Sequence, residues 1–243
     1  MSYLLEIIAF DIESCRIIEQ SGGGRIELCA NPAEGGTTVS YGMMKAAREA
    51  VQIPVFPIIR PRGGDFLYNA EEYAIMVQDI LLCREAGMDG VVIGLLDAAG
   101  NVDKERVSRL VELAYPMDVT FHRAFDHSLD PLQALEDVIA CGCTRILSSG
   151  AADTALQGIG LLQKCIAAAG DRITMLPGSG IRSSNIAELA AATGLFEFHS
   201  SARKLSPSLM KFRNNQISDE QKRWTVDEEE VRACIGSLVN GKR

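Results

Sequence analysis

The residues of this 243-residue chain that can do acid–base or ligand chemistry sit at the ends of short apolar runs: Glu6, Glu27, Cys29, Arg60, His122, Glu197 and His199. Two carboxylates enclosed in one space push their proton affinities apart, which leaves one as base and one as acid. Glu6 and Glu27 are candidates for those roles, with His122 and His199 as proton shuttles. Arg60 and Arg62, in Arg60-Pro61-Arg62-Gly63-Gly64-Asp65-Phe66, would clamp an anion through bidentate hydrogen bonds. The stretches Pro177-Gly178-Ser179-Gly180-Ile181 and His199-Ser200-Ser201-Ala202 suit a phosphate. Glycine lets backbone N–H groups approach such a ligand, so Gly178, Gly180, Ser200 and Ser201 are the candidate contacts. No nucleophile elbow, HExxH, Walker loop or GxGxxG follows a strand pattern, so the reaction itself stays unnamed.

Elements able to position these groups recur along the whole chain. Apolar runs at 4–9, 25–29, 55–59, 91–95, 119–122, 145–148, 173–176 and 195–199 read as strands. Helical patterns at 40–51, 70–85, 103–113 and 131–140 lie between them, with apolar residues such as Ile75, Val77, Ile80 and Leu81 at helical spacing. Ser40 and Asp130-Pro131 are helix starts, and Gly87, Gly142 and Gly170 are helix stops. Eight strand–helix units match a closed (β/α)8 TIM barrel over 1–202, with an open doubly wound sheet as the rival. Residues 203–243 form a C-terminal extension of the same domain: an irregular polar segment at 203–224 and a helix at about 227–239. That extension is expected to fold over the amino-terminal end of the barrel or to pack on a neighbouring copy, with Phe212 and Trp224 as anchors.

In a barrel the outer strand face packs on apolar helices, so the polar face points inward. Period two then turns Leu5, Ile7, Ile26, Leu28, Val119, Phe121, Phe196 and Phe198 outward. Glu6, Ile8, Glu27, Cys29, Thr120, His122, Glu197 and His199 turn inward, and Arg60 shares the parity of Phe56 and Ile58. Isolated charges in such a place cost several kcal/mol each unless paired. They form either a ligand site or an internal network, Arg60 with Glu6 or Glu27, that fills the lumen.

Composition narrows the setting. With 47% hydrophobic and 23% charged residues the chain is an ordinary globular protein. A net charge of −8, without a basic run, argues against nucleic acid and against an anionic membrane surface. No apolar stretch reaches the roughly 18 residues of a membrane span, and the start lacks a basic signal region. The seven cysteines are scattered without a CxxC pair, which reads as reduced thiols in the cytoplasm. Cys141-Gly142-Cys143 precedes a strand, at the end of the barrel away from the candidate site, and reads as structural.

Several of these stretches together resemble the CutC copper homeostasis family. They are Arg25-Ile26-Glu27-Leu28-Cys29 with Glu34-Gly35-Gly36-Thr37-Thr38, Ile58–Phe66, and Val119-Thr120-Phe121-His122-Arg123-Ala124-Phe125-Asp126. Phe198-His199-Ser200-Ser201-Ala202 and Met210-Lys211-Phe212-Arg213-Asn214 complete the set. The resemblance implies a TIM barrel, a cytoplasmic homo-oligomer (dimer or tetramer), and a role in copper tolerance with one Cu(I) bound per chain. Cys29 stands at the family's cysteine position, and Ile8 stands where some relatives carry a second thiol. Cu(I) prefers two or three soft ligands. An enzyme acting on a small anionic, phosphorylated molecule is the alternative the lumen residues offer, and a non-catalytic oligomeric scaffold is a third.

Overall fold

Strand and helix alternate because short β-branched runs are separated by well-capped amphipathic segments. The computed structural model describes residues 3–214, 216 and 222–241. In order these form β1 (Leu4–Ala9), α1 (Ile12–Gln20), β2 (Arg25–Leu28), α2 (Tyr41–Ala50), β3 (Val55–Pro57) and α3 (Ala70–Glu85). There follow β4 (Gly90–Ile93), α4 (Lys104–Ala114), β5 (Asp118–Phe121), α5 (Pro131–Ala140), β6 (Arg145–Ser148) and α6 (Ile159–Ala169). The repeat ends with β7 (Thr174–Pro177), α7 (Ile186–Thr193) and β8 (Glu197–Ser200). Asp11, Ser40, Asn69, Asp103 and Asp130 each accept a backbone N–H from the first turn of the helix they open.

All eight strands run parallel, in two arcs ordered β3-β2-β1-β8 and β4-β5-β6-β7. A bridge between Ile58 and Val92 joins β3 to β4, and β7 lies beside β8, so the arcs close a (β/α)8 barrel. Alternation along the strands then makes two cores. The outer one takes Leu5, Ile7, Ile26, Leu28, Val91, Ile93, Phe121 and Phe198 against the helices. The inner one is small: Ile8, Cys29, Phe56, Ile58 and Val92.

Phe56 fills the lower lumen, with the guanidiniums of Arg25 and Arg145 over its ring at 5.3 and 5.5 Å from the centroid. Gly90 leaves the space that this ring occupies, since a Cβ there would lie 2.4 Å from the ring.

Two expectations are corrected. The buried face of α3 is Met76, Ile80 and Cys83, while Ile75 and Leu81 are exposed. Apolar residues surround that helix on most sides, so spacing alone does not select the face that docks. The segment after the barrel is not irregular either. It forms an antiparallel hairpin, β9 (Arg203–Pro207) with β10 (Lys222–Val226), followed by α8 (Glu228–Asn240), which packs on α7 and α1. Arg223 pairs with Asp11 and Glu13 at the start of α1, and Val226 N–H donates to Ser14. The hairpin therefore stands at the carboxyl-terminal rim of the barrel and not across its opposite end. Phe212 is exposed, and Trp224 stacks under Arg203 at 4.4 Å. Among the described residues no helix is long and apolar enough to cross a membrane.

Gly90→Ala is expected to force Phe56 from beneath the two arginines and cost about 1–3 kcal/mol, the usual penalty of overpacking. Urea unfolding measures it; a variant as stable as the parent would show that the ring does not need that space.

Candidate functional site

Strands of a barrel deliver inward side chains to its carboxyl-terminal mouth, where the loops add a rim. Here the mouth holds a cavity of about 230 Å³, with Glu27, Arg60, His122 and His199 on its walls. Ile8, Ile58, Phe66 and Leu147 supply apolar surface between them, and Arg123 and Arg203 reach in from the rim.

One wall is the top of a chain of charges that runs up the lumen. Asp118 binds Arg145 at 3.1 Å, Arg145 binds Glu197 at 3.1 Å, and Glu197 binds Arg25 at 2.8 Å. Arg25 in turn donates from Nε to Glu6, and both side chains are buried. Glu6 Oε1 lies 2.7 Å from His199 Nδ1, and His199 Nε2 lies 3.7 Å from Glu27. Strand register explains the stacking, because Glu6 is level with both Arg25 and His199.

These neighbours set the proton affinities. Burial alone would raise Glu6, but Arg25 and His199 outweigh it and hold its pKa at about 2. An ionised carboxylate only accepts, so His199 donates to it from Nδ1. Burial works against the His199 cation, yet the bond to Glu6 and the charge of Glu27 raise its pKa. Glu27 is raised to about 7 by burial; His199 opposes the rise and Glu6 adds to it. Glu27 is thus the carboxyl of this wall raised toward neutrality, with His199 Nε2 3.7 Å away.

A second part of the wall is built from Arg60 and His122. Arg60 Nη1 donates to Glu34 O at 2.7 Å and Gly36 O at 2.9 Å, and Nη2 donates to Gly64 O at 2.8 Å. Gly36 and Gly64 have φ of +102° and +80°, a backbone conformation that favours glycine and turns these loops onto the guanidinium. His122 Nδ1 accepts from the N–H of Ala124 at 3.1 Å, and burial together with Arg60 lowers its pKa to about 3. It is therefore a neutral imidazole with its proton on Nε2. Gly94 makes room for it, since a Cβ there would lie 2.3 Å from the ring.

Several sequence expectations need correction. Arg60 pairs with neither Glu6 nor Glu27; backbone carbonyls take its two terminal nitrogens. Arg62 turns away from the cavity and binds Glu72 at 2.6 Å and Asp65 at 3.0 Å, so the two-arginine clamp does not form. Glu6 lies beneath the cavity and stays ionised, which suits orienting His199 and not carrying protons. Glu197 sits at the far end of the lumen with Arg25 and Arg145. Gly178 packs against Leu147 and His199 instead of facing the cavity, whereas Gly180 and Ser201 line it. Ser200 lines it too, but its hydroxyl donates to Ile181 O at 2.7 Å. Sequence reasoning missed Arg25 and Arg145, although Arg25 shares the inward parity of Glu27, and it gave no role to Arg123 or Arg203.

The donor set does not fit a Cu(I) centre. Cys29 is fully buried beside Ile8, Phe56, Ile58 and Val92, and burial with the nearby Glu27 pushes its thiol well above the ordinary value. The other six cysteines are buried away from the cavity. Among the described residues no three His, Cys, Asp or Glu side chains are grouped to hold a metal ion. One protonated thiol without a second soft ligand falls short of what Cu(I) requires.

Folding stability should carry the imprint of Glu27. The folded state binds its proton more tightly than the ordinary value of 4.5, so stability falls as pH rises from there through about 7. The slope is up to about 1.4 kcal/mol per pH unit for one group. His199 acts in the same direction. Glu6 acts oppositely, its contribution being lost only as pH falls from 4.5 through about 2. Glu27→Gln is expected to lessen the loss of stability between pH 5 and pH 8 in urea unfolding; an unchanged slope would free Glu27 of this role.

Comparison with known proteins places the chain. A model of the CutC family matches residues 3–204. A CutC family protein of Chromobacterium violaceum is 50% identical over 98% of this chain and 99% of its own length. The human copper homeostasis protein cutC homolog is 44% identical over 89% of this chain and 79% of its own. The crystal structure of a CutC protein from Streptococcus agalactiae superposes with a TM-score of 0.79 at 32% identity, covering 82% of this chain and 98% of that one. A barrel with this mouth, matched along nearly its whole length by those relatives, belongs to the CutC family.

Proposed function

We propose that the mouth of the barrel is a small-molecule site that binds an anionic ligand and moves a proton on it. The observation that carries this reading is the Glu6–His199–Glu27 array. Glu6, fixed by Arg25, orients one imidazole nitrogen, and the other faces, at 3.7 Å, a carboxyl on the cavity wall whose pKa is raised to about 7. A base of that strength, within reach of a partner that can take or return the proton, is what general acid–base catalysis at neutral pH needs. Arg123 and Arg203 at the rim supply positive charge for the anionic part of the ligand. Among the described residues Arg203 is the freer of the two: it stacks on Trp224 and its one side-chain hydrogen bond is a 3.5 Å contact to Pro32 O, while Arg123 is tied to Asp126 at 2.8 Å.

Inorganic phosphate is the simplest probe of the anion. Calorimetric titration is expected to give binding that Arg203→Met weakens about fivefold, roughly 1 kcal/mol. Equal affinity in the variant would remove Arg203 from the site, and no binding to the parent would count against the anion reading as a whole.

The family's tie to copper can then be physiological without a copper ion at this mouth. Competition for Cu(I) against bicinchoninate is expected to give the same stoichiometry for the parent and for Cys29→Ser. Loss of one equivalent in the variant would restore Cys29 as a ligand.

A further inference from the structure

The bonds that fix Arg60 and His122, two residues that line the cavity, leave one buried polar atom of each unmet. Arg60 Nε and His122 Nε2 are buried, their residues 6% and 4% exposed, and among the described residues neither has a hydrogen-bond partner. An unmet buried donor keeps the full cost of its desolvation, so two in residues that line one cavity call for an acceptor. Both are held in place by other bonds. Three carbonyls fix both terminal nitrogens of Arg60, and its Nε–H is the buried nitrogen left without a bond. His122 is fixed by Ala124, which leaves Nε2–H. Phe66 packs on both, with the Arg60 guanidinium 5.0 Å over its ring and the His122 ring centroid 4.9 Å away.

We propose that Arg60 Nε–H and His122 Nε2–H form an oxyanion site, and that the ligand is a small carbonyl compound with an enolisable C–H bond. This names the substrate class of the proton-transfer site above and rests on that reading. The step balances without a co-reactant. The carboxylate of Glu27 takes the proton from the carbon beside the carbonyl, the C–H electron pair becomes the new C=C bond, and the carbonyl π pair moves onto oxygen. The resulting enolate oxygen accepts from the two N–H groups, fixed dipoles aimed at charge that develops only as the reaction proceeds. Return of the proton to the same carbon gives exchange or epimerisation, and its return elsewhere along the enolate gives an isomer. A neutral imidazole suits this place, because it polarises a carbonyl and keeps its own proton.

Oxalate, a planar dianion shaped like the enolate of a 2-oxo acid, is the probe, with tetrahedral phosphate as the comparator. Oxalate added to the uniformly ¹⁵N-labelled protein is expected to shift the His122 Nε2 resonance. In calorimetry His122→Ala is expected to weaken oxalate about tenfold and phosphate less than about twofold, and His122→Gln, which carries an amide N–H, to recover part of the loss. If phosphate binds but oxalate leaves the His122 resonance of the parent unmoved, the anion site stands and the oxyanion site falls. The oxyanion site also falls if His122→Ala weakens both probes equally. If neither probe binds the parent, both readings fall together.

Discussion

The ion pair of Arg25 with Glu6, buried halfway up a barrel, is the constraint on which the mouth depends. Two charges taken out of water are tolerable only when each is met by others, and here each is. Arg25 is shared between Glu6 and Glu197, and Glu6 between Arg25 and His199. Breaking either partner would leave an uncompensated charge in the lumen. The pairing also has a chemical consequence, since it keeps Glu6 ionised and so dictates which nitrogen of His199 carries the bonded proton. Structure at the base of the barrel thereby sets proton affinity at its top.

At Arg60, backbone groups do the fixing. Three carbonyls from the loops after β2 and β3 occupy the ends of Arg60, and those loops reach it only because glycines take the left-handed turns. The GGTT and RGGD stretches are thus scaffolding for one guanidinium more than contacts for a ligand. With a neutral His122 beside it, the wall offers donors, while the wall of Glu27 and His199 offers a base. Ile8 and Ile58 supply apolar surface between these polar groups.

How far the site could be read beforehand follows from how each residue is placed. Glu27, His122 and His199 were legible because a closed barrel makes period two decisive: one face meets helices, the other the lumen. Arg62 was not, because a loop has no such period, and two arginines flanking one proline look alike in sequence. Arg25 obeyed the rule, but it is the first residue of its strand, at the end of the barrel where a site is not expected. The rim hairpin was unreadable for another reason. Its strands are short and polar, and they are held by pairing across an intervening loop and by contacts to α1, far away in sequence.

The amino-acid sequence by itself determined the barrel, its strand count and most of the ionisable groups inside it, Arg25 and Arg145 excepted, since alternation and helix caps are local properties of the chain. Tertiary structure alone decided which of those groups meet. Register set Glu6 level with Arg25 and His199, and the loops claimed Arg60 before any carboxylate could. Such choices depend on distances between residues up to 193 positions apart, as with Glu6 and His199, and no local pattern encodes those distances.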